Sequence, residues 1–220
     1  MTVNPHLVLS TLLLVMTIMS TSLRSQTLKE NPALDARVKE FLDAHAGQWH
    51  DLNVPANDGK LLYDLVIKGK YTRALEIGTS TGHSGIWIAW ALSKTGGKLI
   101  TIEIDEERYK QALANFKEAG LAGYIDARLA DAHDLVKTLD GPFDFVFSDA
   151  DKEWYKQYFV DVTPKLVVGG CFAAHNVSGR RGGYNGIQQY AEYILSLKNF
   201  KTTFNKAGAG VAISYKKSDR

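Results

Sequence analysis

Apolar and polar positions divide the chain from residue 30 onward into alternating helix-like and strand-like segments. Residues 33–52 and 57–68 have helical spacing, and we expect Asn57 or Asp58 to cap the second helix and Gly69 to end it. Short runs rich in apolar and β-branched residues follow, each separated from the next by a stretch long enough for a helix. These runs are residues 73–77, 98–103, 124–130, 143–148 and 166–174. This order is typical of βαβ units that build a parallel sheet.

The C-terminal end breaks this rhythm. Residues 200–205 and 211–215 are strand-like, and the five residues between them, Lys-Ala-Gly-Ala-Gly, leave no room for a crossover helix. They therefore predict a hairpin that adds one antiparallel strand. The expected fold is a doubly wound, Rossmann-like α/β domain over residues 30–220. It has a mostly parallel seven-stranded sheet, helices on both faces and a helical preface at its N-terminal end.

The first 25 residues differ from this domain. Residues 7–19 read LVLSTLLLVMTIM, a length typical of a signal-peptide core, and extension to residue 23 makes the run marginally long enough to span a bilayer. The nearest cations, Arg24 and Lys29, follow the run instead of preceding it. A cleaved export signal and an uncleaved membrane anchor both remain open. If the segment is retained, the positive-inside rule favours a cytoplasmic position for the following domain.

Composition narrows the classes of protein. Of 220 residues, 45% are hydrophobic and 23% charged, which is typical of a globular domain and excludes a disordered or collagen-like chain. The formal net charge of +2 provides no strong field for nucleic acid, so this partner is not expected. Cys171 is the single cysteine, which excludes an intramolecular disulfide framework.

The residues that close the predicted strands carry the candidate chemistry, because open α/β sheets bind ligands at the carboxyl ends of their strands. Polar residues stand at or just after five strand ends: Glu76, Glu103, Asp131, Asp149, and His175 with Asn176. We expect these side chains to line a common cleft.

The turn after the first predicted strand, residues 76–84, reads EIGTSTGHS. Gly78 allows a ligand to approach the backbone, while Ser84 and the free amides at the helix start can hold a carboxylate. Ser80 stands where a dinucleotide fingerprint has its second glycine, and Glu76 would repel a pyrophosphate. The sulfonium and ammonium groups of S-adenosylmethionine suit such a site. Glu103 is placed to bind ribose hydroxyls and Asp131 to meet an adenine edge, so three acids at successive strand ends favour an adenosyl ligand.

Three segments together resemble a known family. They are ALEIGTSTGHS at residues 74–84, FVFSDADKEWY at residues 145–155 and LVVGGCFAAHN at residues 166–176. They are similar to the class I S-adenosylmethionine-dependent O-methyltransferases, in particular the group that contains catechol and caffeoyl-coenzyme A O-methyltransferases. The resemblance runs from about residue 53 to residue 215.

The resemblance implies two sets of site residues. Cofactor contacts would come from Glu76, Gly78, Thr79, Ser80, Gly82, Ser84, Glu103, Asp131, Ala132 and Asp149. The catalytic set would be Lys152, Asp149 and His175, with Lys152 taking the proton from the acceptor hydroxyl. A divalent metal, Mg²⁺ or Mn²⁺, would be bound by Asp149, His175 and Asn176 and would hold the acceptor oxygens.

One residue departs from the family pattern. The family has an Asp-Asn pair after the fifth strand, whereas this chain has His175-Asn176. A nitrogen donor in place of a hard oxygen disfavours Mg²⁺ and suits Mn²⁺, iron or zinc, or no metal at all. Three roles for His175 remain open: a metal ligand, a general base, or a structural residue under the site.

These features predict an enzyme that transfers a methyl group from S-adenosylmethionine to a hydroxyl of a small, catechol-like acceptor with the assistance of a metal. The resemblance also admits a homodimer. Two alternatives are a methyltransferase for a hydroxylated tRNA base, which the near-neutral charge disfavours, and a non-catalytic S-adenosylmethionine-binding domain. Intact Asp149 and Lys152 argue against the second.

Overall fold

A computed structural model describes residues 27–50, 52–178 and 185–220. The predicted signal or anchor segment, residues 7–23, lies outside these described residues, so its role stays a prediction. Within the described ranges, no helix combines the length and the apolar character needed to cross a bilayer.

One seven-stranded sheet forms the centre of the domain, with the strand order β3-β2-β1-β4-β5-β7-β6. The strands are β1 Arg73–Ile77, β2 Lys98–Glu103, β3 Ile125–Leu129, β4 Phe143–Ser148, β5 Leu166–His175, β6 Phe200–Asn205 and β7 Val211–Lys216. Strands β1 to β5 pair in parallel, and β7 runs antiparallel to both β5 and β6. The predicted mixed sheet and its C-terminal hairpin are confirmed.

Helices cover both faces of this sheet. They are α1 Pro32–Ala44, α2 Ala56–Gly69, α3 His83–Thr95, α4 Glu106–Glu118, α5 Ala132–Thr138, α6 Tyr155–Val162 and α7 Asn185–Ser196. Buried side chains of α6 and α7 pack with one set of strand residues, including Val146 and Phe172. Buried side chains of α2 and α3 pack with the alternate set, including Phe145 and Cys171. The alternation follows from the two-residue period of a strand, which sends neighbouring side chains to opposite faces.

The helical preface differs from the prediction at its boundaries. Helix α1 ends at Ala44 instead of residue 52, because the chain turns there and Trp49 stacks on His83, with ring centroids 4.3 Å apart. Helix α2 begins after Pro55, which makes no side-chain cap, so the predicted caps at Asn57 and Asp58 are wrong.

The ends of three strands and of one helix also shift, and β7 ends at Lys216 instead of residue 215. Helix α2 includes Gly69, and the residue that leaves the helix is Lys70, in the left-handed region with φ 53°. Strand β5 extends one residue further than expected, to His175, and β3 is shorter at both ends. The longer β5 matters for function because it fixes the backbone of His175 in the sheet, paired with Val211 of β7.

The strand order reverses between β1 and β4, the point at which open α/β sheets bind their ligands. Asp149, directly after β4, donates its backbone N–H to the carbonyl of Ile77 at 2.8 Å. Gly78 has φ +96°, and a Cβ there would lie 2.7 Å from the carbonyl oxygen of Asp149. Only glycine therefore lets the two loops approach so closely, which explains the residue at this position.

Candidate functional site

The turn after β1 and the end of β2 are joined by one carboxylate. Oε2 of Glu103 accepts a hydrogen bond from the backbone N–H of Ser80 at 2.7 Å. Its Oε1 accepts from the backbone N–H groups of Ile104 at 3.1 Å and Asp105 at 2.9 Å. Glu103 is only 6% exposed, so it holds the glycine turn in place at the edge of the cleft.

Glu76 is the most deeply buried acid of this region, with no exposed surface. Its Oε2 accepts from the hydroxyl of Thr101 at 2.6 Å, whereas its Oε1 has no hydrogen-bond partner within the described residues. Burial raises the pKa of Glu76 to about 7, against the lowering effect of hydrogen bonds from Ser84 and Thr101. A buried acceptor that lacks a partner fits a cationic or hydrogen-donating ligand at this place.

Two more predicted cofactor residues lie one strand further out. Asp131 caps helix α5 by accepting the backbone N–H of His133 at 2.8 Å, and its side chain is 45% exposed. Ala132 is buried beside it. The ring of His133 stacks on Trp154 with centroids 3.9 Å apart. The exposed carboxylate and the stacked rings therefore lie side by side after the end of β3.

Asp149 and Lys152 form a short ion pair above the end of β4. Lys152 Nζ lies 2.5 Å from Asp149 Oδ1 and 2.8 Å from the hydroxyl of Tyr155. Tyr155 is fully buried, and burial together with the charge of Asp149 raises its pKa well above the usual range. Its hydroxyl therefore stays protonated and orients Lys152.

His175 lies on the other side of Asp149. Its Nδ1 is 3.0 Å from Asp149 Oδ2, and its Nε2 is 3.0 Å from Asp58 Oδ2. Burial favours the neutral ring, but the hydrogen bonds and charges of Asp149 and Asp58 outweigh it and raise the pKa of His175. The structure thus brings together the three predicted catalytic residues and places beside them one acid that sequence reasoning missed.

That missed residue, Asp58, belongs to helix α2, 117 positions before His175 in the chain. Its side chain is 2% exposed, and Oδ2 also accepts the backbone N–H of Ala209 at 2.8 Å. Ala209 belongs to the turn between β6 and β7, and a methyl group on the neighbouring Gly208 would overlap the Asp58 carboxylate. The sequence offered only a polar residue in a first helical turn, so no local signal marked Asp58 as part of the site.

The donor set does not fit the divalent metal that the resemblance implies. Both ring nitrogens of His175 face carboxylates, which leaves no lone pair directed at a metal. Asp149 uses one oxygen for Lys152 and the other for His175, and Asn176 is exposed with φ +59°. Among the described residues, no group of three or more histidine, cysteine or acidic side chains is arranged to hold a metal ion.

A separate aromatic cavity of about 930 Å³ lies between helices α1, α2 and α3, and Trp49, Tyr63, Trp87 and Trp90 are among its lining residues. His83 reaches this cavity from the start of α3: Nδ1 donates to the carbonyl of Val54 at 2.8 Å, and Nε2 accepts from Trp87 Nε1 at 3.0 Å. Burial lowers the pKa of His83 to about 4, so the ring is neutral. Trp49 and His83 thus serve the packing beneath the glycine turn.

Comparison with known proteins agrees with this fold. The family profile described as O-methyltransferase matches residues 24–215. A catechol O-methyltransferase from Niastella koreensis is 40% identical over 112 residues, which cover 49% of this chain and 50% of that protein. Caffeoyl-CoA O-methyltransferase 1 of Eucalyptus globulus is 32% identical over 72% of this chain and 67% of its own length. The match thus spans half to two thirds of these curated relatives.

A solved structure extends the comparison to nearly the whole chain. The O-methyltransferase TomG from Streptomyces achromogenes, crystallised in complex with SAM, has a TM-score of 0.71 and 29% identity. The alignment covers 87% of this chain and 92% of that one. The doubly wound sheet with acids at its carboxyl edge belongs to the class of α/β proteins that bind ligands at the carboxyl ends of their strands. Within that class, this chain belongs to the O-methyltransferase family.

Proposed function

We propose that this protein transfers a methyl group from S-adenosylmethionine to a hydroxyl of a small aromatic acceptor. The observation that carries the proposal is the buried Glu76, whose Oε1 has no hydrogen-bond partner among the described residues and which lies close enough to Asp149 to feel its charge. Relatives named for catechol and caffeoyl-CoA, and the SAM complex of TomG, support the same chemistry.

The cofactor would lie along the carboxyl ends of β1, β2 and β3. Glu76 and the turn at Gly78 to Ser84 would hold its amino-acid end, Glu103 the ribose, and Asp131 with Ala132 the adenine. Glu103 already receives three backbone hydrogen bonds, so its carboxylate is fixed before a ligand arrives. When bound, S-adenosylmethionine supplies an electrophilic methyl group on a sulfonium sulfur.

The acceptor side is served by the residues after β4. Lys152, the cation of its ion pair with Asp149, would first release one proton to solvent. As the amine it would then take the proton of the acceptor hydroxyl, while the oxygen gains the methyl group and the sulfur keeps the electron pair of the broken bond. Asp149 and the Tyr155 hydroxyl hold Nζ of Lys152 in position, at 2.5 Å and 2.8 Å. The proton then leaves from Lys152 to solvent, which the 22% exposure of its side chain allows.

A small phenolic acceptor fits better than the alternatives. The formal net charge of +2 provides little attraction for tRNA phosphates. A domain that only binds the cofactor has no need for the Asp149–Lys152 pair, which is intact here. Because both ring nitrogens of His175 and both oxygens of Asp149 already have partners, no step of this proposal passes through a metal.

Calorimetric titration of the full-length protein with S-adenosylmethionine tests the cofactor site. We expect binding that Glu103→Ala weakens by about tenfold or more, since a buried hydrogen-bonded carboxylate is lost. Glu40→Ala, at an exposed acid on α1, is the matched control and should bind as the unmodified chain does. If the unmodified chain shows no binding, the proposed function is wrong.

A further inference from the structure

Four side chains form a continuous line of alternating charge beneath the acceptor site. Asp58 lies 3.0 Å from His175, and His175 lies 3.0 Å from Asp149. Asp149 in turn lies 2.5 Å from Lys152. The line crosses the fold from helix α2 through the ends of β5 and β4 to the short helical turn Lys152–Trp154. Three of the four side chains are less than a tenth exposed.

The geometry at His175 favours the protonated ring. A neutral imidazole has one N–H donor and one acceptor lone pair, so it can donate to only one carboxylate. Both nitrogens of His175 lie 3.0 Å from a carboxylate oxygen, and a lone pair facing either oxygen would be repelled. Only the imidazolium donates to both partners, and such charge-assisted hydrogen bonds are the stronger kind.

The charges of the line then balance. Asp58 and Asp149 are negative, and His175 and Lys152 are positive. A divalent cation placed among them would add two positive charges to a buried cluster that is already neutral, which is costly where water is excluded. In the family pattern an aspartate stands at position 175, and the same cluster would keep an excess of negative charge for a metal.

The fold holds Asp58 in place independently of His175. The backbone N–H of Ala209 donates to Asp58 Oδ2 at 2.8 Å, and the close packing of Gly208 leaves no free space beside the carboxylate. The β6–β7 turn therefore fixes the position of the Asp58 carboxylate. Asp58 is set in position by elements from both ends of the chain, which is expected for a carboxylate that orients another group.

We infer that the imidazolium of His175, oriented by Asp58, takes the place of the divalent cation in this protein, so that its methyl transfer requires no metal. The inference rests on the proposed function for the reaction that is catalysed. The charge of the four side chains, however, is a property of the protein that can be tested without turnover. His175 supplies positive charge beside Asp149, and Asp58 is a positioning residue that acts through His175. The acceptor is held by protein groups, and its proton passes to Lys152 as described.

Electron paramagnetic resonance of Mn²⁺ titrated into the full-length protein tests this inference without any turnover. We expect the unmodified chain to leave the spectrum of free Mn²⁺ unchanged. His175→Asp restores the family's residue and the negative excess, so we expect it to bind Mn²⁺ at least about tenfold more tightly. His50→Asp makes the same exchange at an exposed histidine and should leave the free signal unchanged.

Turnover provides a second readout, with pyrocatechol as acceptor and product measured by mass spectrometry. Methylation that is unchanged by EDTA supports the inference. Stoichiometric Mn²⁺ binding by the unmodified chain, or activity lost in EDTA and restored by Mg²⁺ or Mn²⁺, overturns it. If S-adenosylmethionine binds and no acceptor is methylated, the proposed function fails, whereas the Mn²⁺ spectra still decide the inference.

Discussion

Glu76 offers a quantitative test because its burial couples stability to pH. The pKa of this carboxyl rises from 4.5 to about 7 on folding, mainly through burial. At 1.36 kcal/mol per pKa unit, the folded state loses up to about 3 kcal/mol relative to the unfolded state when the group must ionise. Since the pKa of Glu76 is raised in the folded state, the stability of that state is highest below pH 4.5. About 3 kcal/mol of it is lost as the pH rises from 4.5 through 7.

Glu76→Gln keeps the shape of the side chain and removes the ionisation. We measure the free energy of unfolding of the variant and of the unmodified chain in urea at each pH. Between pH 5 and pH 8, we expect the difference between them to grow by up to about 3 kcal/mol in favour of the variant. Glu40→Gln, on the exposed surface of α1, should show no such gain. Saturating S-adenosylmethionine should reduce the difference at pH 8, because a bound ammonium group favours the ionised carboxylate.

If Glu76→Gln and the unmodified chain differ by the same free energy of unfolding at pH 5 and at pH 8, this reasoning is refuted. It would mean that Glu76 does not change its protonation on folding. A cofactor affinity that is unaffected by Glu76→Gln at pH 8 would separately remove Glu76 from the cofactor site.

Three further predictions address other parts of the site. Lys152→Ala should lower kcat by about 10²- to 10⁴-fold and leave the Kd for S-adenosylmethionine nearly unchanged, measured by product formation and calorimetry; full activity would remove Lys152 from the mechanism. Gly208→Ala should destabilise the fold by about 1–3 kcal/mol in urea denaturation, because the added methyl overlaps Asp58; an unchanged midpoint would show that the turn adapts. His83 has a lowered pKa of about 4, so it contributes stability that is full above pH 6.5 and lost as the pH falls towards 4. His83→Phe should show a smaller loss of stability between pH 7 and pH 5 than the unmodified chain, and identical losses would contradict the neutral assignment.

The sheet could be predicted because its signals are local. The bounds of β1, β2, β4 and β6 agree with the sequence prediction, since each is a short apolar run with a polar residue or a turn at its end. The predicted glycine turn and the acids at or just after the ends of β1, β2 and β4 also lie together in the structure.

The preface and the Asp58 contact could not be predicted, because both depend on tertiary packing. Trp49 fits a helical period, yet it leaves α1 to stack on His83, from a segment more than thirty positions away. Asp58 looks like an ordinary first-turn acid, and its partner His175 is 117 residues distant. The histidine at position 175, where the family has an aspartate, was visible in the sequence. The contact of His175 with a second carboxylate, that of Asp58, was not.

The most direct test of the central claim is an assay that follows the methyl group from the cofactor to the acceptor. The full-length protein is incubated with methyl-labelled S-adenosylmethionine and pyrocatechol, and mass spectrometry follows the label. We expect label on one oxygen of the catechol together with an equal amount of S-adenosylhomocysteine, and we expect Lys152→Ala to form both products about 10²- to 10⁴-fold more slowly. Binding of the cofactor without transfer of label to this acceptor or to caffeoyl-coenzyme A would contradict the assignment as an O-methyltransferase.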